Sequence, residues 1–264
     1  MFYLTLPSNS SLAYFPNNKA SHFITKLPQP QTLDGEYEVG LAELQFRNCY
    51  PNILEKEVYF YYERHEMAQN DAKTFYQKKI LGEKKVYVPE GLYESNQYLI
   101  AVLNNLVTTD LAEEFGERTI KFAYNEASRR ASISTYQNNS RLWLSDGLRD
   151  ILGITQTMLN EGQAESYRTM NVDQNVRSIF VYTDLVQPRP VGDVVVPLLR
   201  CLPPVDKKKD TMHYIFEKPH YIPLARLQFD TVEFLLTNDK GDPIPFEDGH
   251  SIVTLHFRRR RLLM

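Results

Sequence analysis

Residues 220–264 read HYIPLARLQFDTVEFLLTNDKGDPIPFEDGHSIVTLHFRRRRLLM, and this stretch decides the fold. Val232, Phe234 and Leu236 recur at every second position, as do Val253, Leu255 and Phe257. Strand side chains alternate with period two, so each run is a strand with one apolar face to bury. Between them Asn238, Asp239, Gly241, Asp242, Pro243, Pro245, Asp248 and Gly249 offer positive φ, fixed φ and side-chain-to-backbone hydrogen bonds, the chemistry of turns. The two strands are expected to be antiparallel and hairpin-built, closing the sheet ahead of a basic end, Arg258–Arg261.

The rest of the chain agrees with a β protein. At 264 residues it is long enough for one large sandwich or for a core domain with an insertion. It carries 17 Tyr and 14 Phe against one Trp, residues that favour strands and contact surfaces. A net charge of −3 provides no general attraction to nucleic acid or anionic membrane, so any polyanion contact has to be local. Cys49 and Cys201 are too few for a disulfide scaffold and lack metal-finger spacing; they are expected to be reduced thiols, although one bridge between them stays open. The start, MFYLTLPSNSS, has no basic region and no long apolar run, so neither secretion nor a membrane anchor is expected. The glycosylation-type triplets at Asn9 and Asn138 are read as accidents of loop composition.

Strands separated by Pro- and Asn-rich turns are expected at Phe2–Leu6, His22–Leu27, Glu36–Phe46 and Val58–Glu63. From residue 84 the texture changes. KKVYV precedes a helix capped by Ser95, in which Leu99, Val102, Leu103 and Leu106 form one stripe. A hairpin with Ile120, Phe122 and Tyr124 on one arm follows, then a short helix capped by Ser145 and stopped by Gly153. Strands return at Ser178–Leu185, Val194–Leu202 and Met212–Phe216. The expected fold is mainly β: a single jelly-roll sandwich from residues 1–65 and 176–264, with a small β-α-β-β-α module at 84–155 and connections at 66–83 and 156–175.

Catalytic signatures are missing: no nucleophile elbow, P-loop, His-Glu-x-x-His helix or dinucleotide fingerprint occurs. A jelly-roll metal enzyme would need about three converging ligands, and His213, His220 and His256 show no His-x-His or His-x-Asp pair. His256 falls on the face opposite Val253, Leu255 and Phe257, which puts it outside the sheet or at an interface. Lys240-Gly241-Asp242 has the look of an integrin-binding triplet, but the same residues suit a tight turn. Of the two basic clusters, Lys207–Lys209 and Arg258–Arg261, the second is the candidate site: Arg258, Arg259, Arg260 and Arg261 could contact nucleic-acid phosphates or a partner chain, against a plain solvated tail that guards a sheet edge. No catalytic, metal or cofactor residues are assigned.

Several blocks together resemble a known family: FYLTLPSNSSLAYFPNNKASHFITKLPQP, DGEYEVGLAELQF, VPEGLYESNQYLIAVLN, LWLSDGLRDILGI, VGDVVVPLLRCLP and FDTVEFLLTNDKGDPIPFEDGHSIVTLHFRR. They are similar to the minor capsid, or penton, protein of Polinton (Maverick) elements and adintovirus-like viruses. The resemblance implies a non-enzymatic jelly-roll capsid protein that forms a homopentamer at icosahedral vertices, beside a double-jelly-roll major capsid protein. It implies a virion location after synthesis in the host cytoplasm, with assembly in cytoplasm or nucleus, and it leaves the arginines to face packaged DNA or a neighbouring chain. Two other classes stay open on the residues: a non-viral sandwich that binds carbohydrate or peptide, and a metal-dependent jelly-roll enzyme.

Overall fold

The computed structural model describes all residues except 55, 70–74, 117–118, 138, 174–175, 204–209 and 261–264, and leaves the side chains of 67–69 and 75–79 aside. The chain opens with β1 (Phe2–Pro7), β2 (His22–Thr32) and β3 (Tyr37–Arg47). Next come β4 (Tyr59–Gln69), β5 (Phe75–Tyr87), α1 (Asn96–Leu106), a π-helical turn (Val107–Leu111) and α2 (Ala112–Phe115). β6 (Ile120–Asn125), β7 (Arg130–Thr135), β8 (Ser140–Leu144), α3 (Asp146–Leu152), β9 (Met158–Leu159) and β10 (Gly162–Glu165) follow. The last part holds β11 (Ile179–Thr183), β12 (Arg189–Val191), β13 (Val194–Val196), β14 (Leu198–Leu202), β15 (Thr211–Ile215), β16 (Ile222–Pro223), β17 (Gln228–Thr237) and β18 (Ile252–Arg259). Two compact units result, one from Met1–Tyr50 with Asn175–Met264 and one from Pro51–Gln174.

The first unit is a jelly roll. One sheet runs β1-β18-β3-β15 and the other β14-β11-β17-β2, all neighbours antiparallel. In chain order these eight strands place the first, eighth, third and sixth in one sheet and the second, seventh, fourth and fifth in the other, the order of two interlocked Greek keys. Short β16 adds to β3, and β12 with β13 forms a separate ribbon. Inward side chains fill one core, with Leu41, Leu44, Phe46, Val253, Leu255 and Phe257 from the first sheet and Phe23, Val181, Val232, Phe234 and Leu236 from the second.

One expectation about the terminal block is overturned. β17 and β18 are not hairpin partners: each lies in a different sheet, and residues 238–251 carry the chain from one to the other. A strand with one greasy face can bury it across a sandwich as well as beside a neighbour, so alternation fixes the face and leaves the pairing open. Across the core, Phe229 and Phe257 stack with ring centroids 6.0 Å apart. The expected strand Val194–Leu202 is likewise two, split at Pro197, because proline offers no N–H to a ladder.

The second unit has its own core, built on a four-stranded sheet β5-β4-β8-β9 and a three-stranded sheet β10-β7-β6. Phe60, Tyr62, Leu142 and Leu144 point into it, together with Leu99 and Leu103 of α1. Ser95 and Ser145 cap α1 and α3, accepting the N–H of Tyr98 at 3.1 Å and of Leu148 at 3.2 Å. Gly153 ends α3 at φ +75°, a left-handed conformation that suits glycine. Asn104 of α1 fixes β6 by accepting the Phe122 N–H and donating to its carbonyl.

The boundaries expected from sequence move. β4, assigned to the sandwich through residue 65, pairs with β5 and β8 and belongs to the second unit, so the change of unit falls at Tyr50. The expected connections 66–83 and 156–175 carry the ends of β4, the start of β5, and β9 and β10. β8 is also an addition to the β-α-β-β-α pattern.

Candidate functional site

The described part of the arginine run is not a free tail. Arg258 and Arg259 are the last residues of β18, paired in register with Glu38 and Tyr37 of β3. Arg258 donates from Nε to Glu38 Oε1 at 2.6 Å and lays its guanidinium 3.4 Å from the Tyr221 ring centroid. Arg259 donates to the Asp34 carbonyl at 3.4 Å and stands over Tyr37. The Arg260 backbone N–H donates to the Glu36 carbonyl at 2.9 Å, and its guanidinium lies 3.7 Å from the Glu36 carboxylate. Glu36 and Glu38 thus meet two of the arginines, and Arg259 and Arg260 stay exposed while so tethered. Arg261 and Lys207–Lys209 lie outside the described residues, as does Asn138.

Two positions along β18, His256 faces the same outer side. It stacks on Tyr3 at 4.5 Å, and its Nδ1 shares a 2.6 Å hydrogen bond with the Tyr221 hydroxyl. Gly40, opposite His256 in the ladder, makes room for this: a Cβ there would come within 2.7 Å of the Pro219 Cβ and 2.9 Å of the His220 carbonyl. The glycine lets residues 219–221 cross the sheet face and deliver Tyr221 to both His256 and Arg258. His256 is buried, and its Nε2 has no hydrogen-bond partner among the described residues. Burial first, then the Arg258 charge and the amino terminus, hold the imidazole below its ordinary value. The cluster Tyr3, His256, Tyr221, Arg258 and Glu38 is therefore a closed cation–aromatic clasp, set to favour a neutral histidine. The alternation of β18 signals the outward face of His256; Tyr3 and Tyr221 arrive from distant segments, which only the β1-β18-β3 order brings together.

The remaining sequence candidates separate. His213 sits on β15 beside Glu43 at 3.6 Å, and among the described residues no three His, Cys, Asp or Glu side chains gather as a metal site. Cys49 and Cys201 carry free thiols, the former donating to the Asp248 carbonyl. Lys240-Gly241-Asp242 is a turn organised by Asn238, whose Oδ1 accepts the N–H groups of Lys240 and Asp242 at 2.9 Å each. At the start of α1 a polar cleft is closed by Asn96, which donates to the Met170 carbonyl and accepts from the Val172 N–H. Its polar groups serve the chain itself. No described helix is long and apolar enough to cross a membrane.

No protein-family model and no curated protein matches the sequence. A solved structure does. The crystal structure of the selenomethionine-labelled mavirus penton protein aligns over 97% of this chain and 98% of that one, with a TM-score of 0.53 at 15% identity. The two chains share a fold along nearly their whole length. At that identity the likeness concerns the fold; Glu38, Tyr221 and the arginines have to be argued from their own geometry.

Proposed function

We propose that the chain is a structural capsid protein, the penton of a virus-like particle, which forms pentamers at icosahedral vertices and contacts a major capsid protein. The observation that carries this reading is the near-complete alignment with the mavirus penton protein, because a match of sandwich alone would leave Pro51–Gln174 unaligned. The jelly-roll strand order supports it. The reading takes the chain as a non-enzymatic virion component that needs no cofactor. Affiliation with Polinton, Maverick or adintovirus-like elements is proposed on the sequence blocks quoted above.

Within that reading Arg258, Arg259 and Arg260 serve first as a clamp on the end of β18, with capsid-partner contact ahead of DNA contact. A phosphate would have to compete with Glu36 and Glu38, which already stand beside two of the guanidiniums. Native mass spectrometry of the purified chain, alone and with the major capsid protein of the same element, tests the assembly. The expected species is a pentamer that enters shells; a persistent monomer that never incorporates would overturn the proposal.

A further inference from the structure

A two-stranded ribbon stands apart from both sheets of the jelly roll. Among the described residues β12 and β13 pair only with each other, and none of their side chains belongs to the core. A lone pair of strands is marginal in water, and this one shows solvent the apolar side chains of Val194, 51% exposed, and Val195, 67% exposed. Its backbone is unfinished too. The turn Gly192-Asp193, with Gly192 at φ +62°, closes on Val191 and Val194, which form a hydrogen-bonded pair. Such pairs alternate along an antiparallel ladder, so the next pair, Pro190 with Val195, is not hydrogen-bonded, as the missing proline N–H also requires. The Val195 N–H and carbonyl therefore point away from β12, and among the described residues nothing meets them.

β1 is an edge that lacks a partner in the same way. β18 is its one strand neighbour, and among the described residues no side chain bonds to the backbone of Phe2–Leu6. Charges, prolines and bulges blunt most natural edges, and Phe2–Leu6 has none of these. β2, an edge of the other sheet, has Lys26, Pro28 and Pro30, and the Asn18 and Ser11 side chains occupy its backbone. The core is also unsealed along β1: Phe2 and Leu4 pack against it yet stay half-buried, whereas Leu6 is fully covered.

The ribbon and the open edge lie at one level of the jelly roll. Val39 pairs with Ile222 of β16 on one side and with Phe257 on the other, and Phe257 pairs with Phe2. β16 in turn holds the root of the ribbon, where the Gln187 N–H donates to the Pro223 carbonyl at 3.0 Å. One row of backbone contacts thus runs from the ribbon through β16, β3 and β18 to the start of β1, with the two unfinished features at its ends. A ring needs two different surfaces on each copy, related by one rotation. Rotation about an axis along the strands keeps every residue at its level, which brings the ribbon of one copy to the β1 edge of the next.

We propose that β13 of one copy adds to the free edge of β1 in a second copy. The Val195 N–H and carbonyl bond the β1 backbone, and Val194 and Val196 cover Phe2 and Leu4. β12 cannot take this role, because Pro190 stands at its outward position and has no N–H to give. The ring form of this contact rests on the capsid reading and names the subunit interface within it.

Two measurements test the pairing in the full-length protein. Native mass spectrometry over a concentration series compares wild type with Val195→Pro, which removes only the outward N–H, and with Val195→Thr, which keeps it. All three should melt alike. Wild type and Val195→Thr should form pentamers at the same concentration, and Val195→Pro should need about tenfold more protein, the loss of one hydrogen bond per contact. In the second measurement Tyr3→Cys and Val195→Cys are made separately with Cys49→Ser and Cys201→Ser, then mixed and treated with a short bismaleimide. Tyr3 is 65% exposed on β1, so the mixture should give a two-chain product that neither protein gives alone. Pentamers unaffected by Val195→Pro, or no mixed product, would overturn the pairing and leave the capsid reading standing. A dimer joined by Tyr3→Cys alone would overturn it in favour of β1 meeting β1. A chain that stays monomeric, alone and with the major capsid protein, would overturn both.

Discussion

His256 occupies a slot made for its neutral form. Tyr3 covers one face of the ring, Tyr221 holds Nδ1, and Arg258 stands two residues along the same strand face. Protonation would bring a second cation beside Arg258 in a site already short of water, so the folded-state pKa lies below that of the unfolded chain. A depressed pKa means that the unfolded chain binds the proton first. The contribution is whole above the unfolded value of about 6.5 and is lost as the pH falls through that value toward the lower folded one. His256→Gln, which keeps a polar group near Tyr221 and cannot titrate, should flatten this limb. Melting temperatures of both proteins from pH 8 to pH 4.5 check it, read as the difference between them so that everything common to both cancels. Wild type should lose ground to the variant below about pH 6.5; parallel curves would show that the clasp does not sense protonation.

At the scale of elements, the telling detail is how β2, the edge of its sheet, is kept from pairing with other chains. Asn18 sits beside it and acts as a substitute strand residue: Oδ1 accepts the Ile24 N–H and Nδ2 donates to the Ile24 carbonyl, both at 2.9 Å. Ser11 takes the Lys26 N–H at 3.0 Å. An open edge is a template for aggregation, and these side chains occupy it. Asn18→Ala should cost about 1–2 kcal/mol through two lost hydrogen bonds, or a melting temperature lower by about 2–6 °C, and should raise light scattering on storage. Asn18→Asp, which keeps the acceptor and loses the donor, should fall between. An unaltered melt with unaltered scattering would remove the guard from Asn18. Neither pairing was legible in SNSS or FPNN, which read as turns, because a side chain that caps a strand from outside leaves no periodicity. The helix caps at Ser95 and Ser145 were legible, since capping is a contact over three residues. So were the faces of β17 and β18. Their partners were not: alternation says which side of a strand is buried, while the choice between a hairpin and a crossing of the sandwich is made by β1, β2, β3 and β11, far away in sequence. The clasp followed the same rule, with Arg258 visible and Glu38 and Tyr221 supplied by topology.

At the scale of the whole molecule, the chain leaves its jelly roll after the third strand, completes a second unit and returns for the remaining five. The cores respect that division. Every buried residue of one hydrophobic cluster belongs to Met1–Tyr50 or Asn175–Met264, and every one of the other to Pro51–Gln174. A segment of that length is domain-sized, and Leu99, Leu103, Phe122, Ile133 and Leu142 are fully or almost fully buried within it. Its elements are also tied together locally, by the Asn104 bridge from α1 to β6 and the Ser145 side chain that both caps α3 and accepts the Tyr59 N–H. Such a unit should fold without the jelly roll. Expressed alone, residues 51–174 should show one cooperative thermal transition, dispersed amide resonances and a near-ultraviolet circular dichroism band from Trp143 and the packed tyrosines. The jelly-roll strands, in contrast, come from both ends of the chain, and among the described residues β1 pairs only with β18, so a fragment ending at Tyr50 should stay unfolded. Loss of the cooperative transition in the 51–174 fragment, with secondary structure retained and dye-binding apolar surface exposed, would mean that its core depends on the sandwich for its packing.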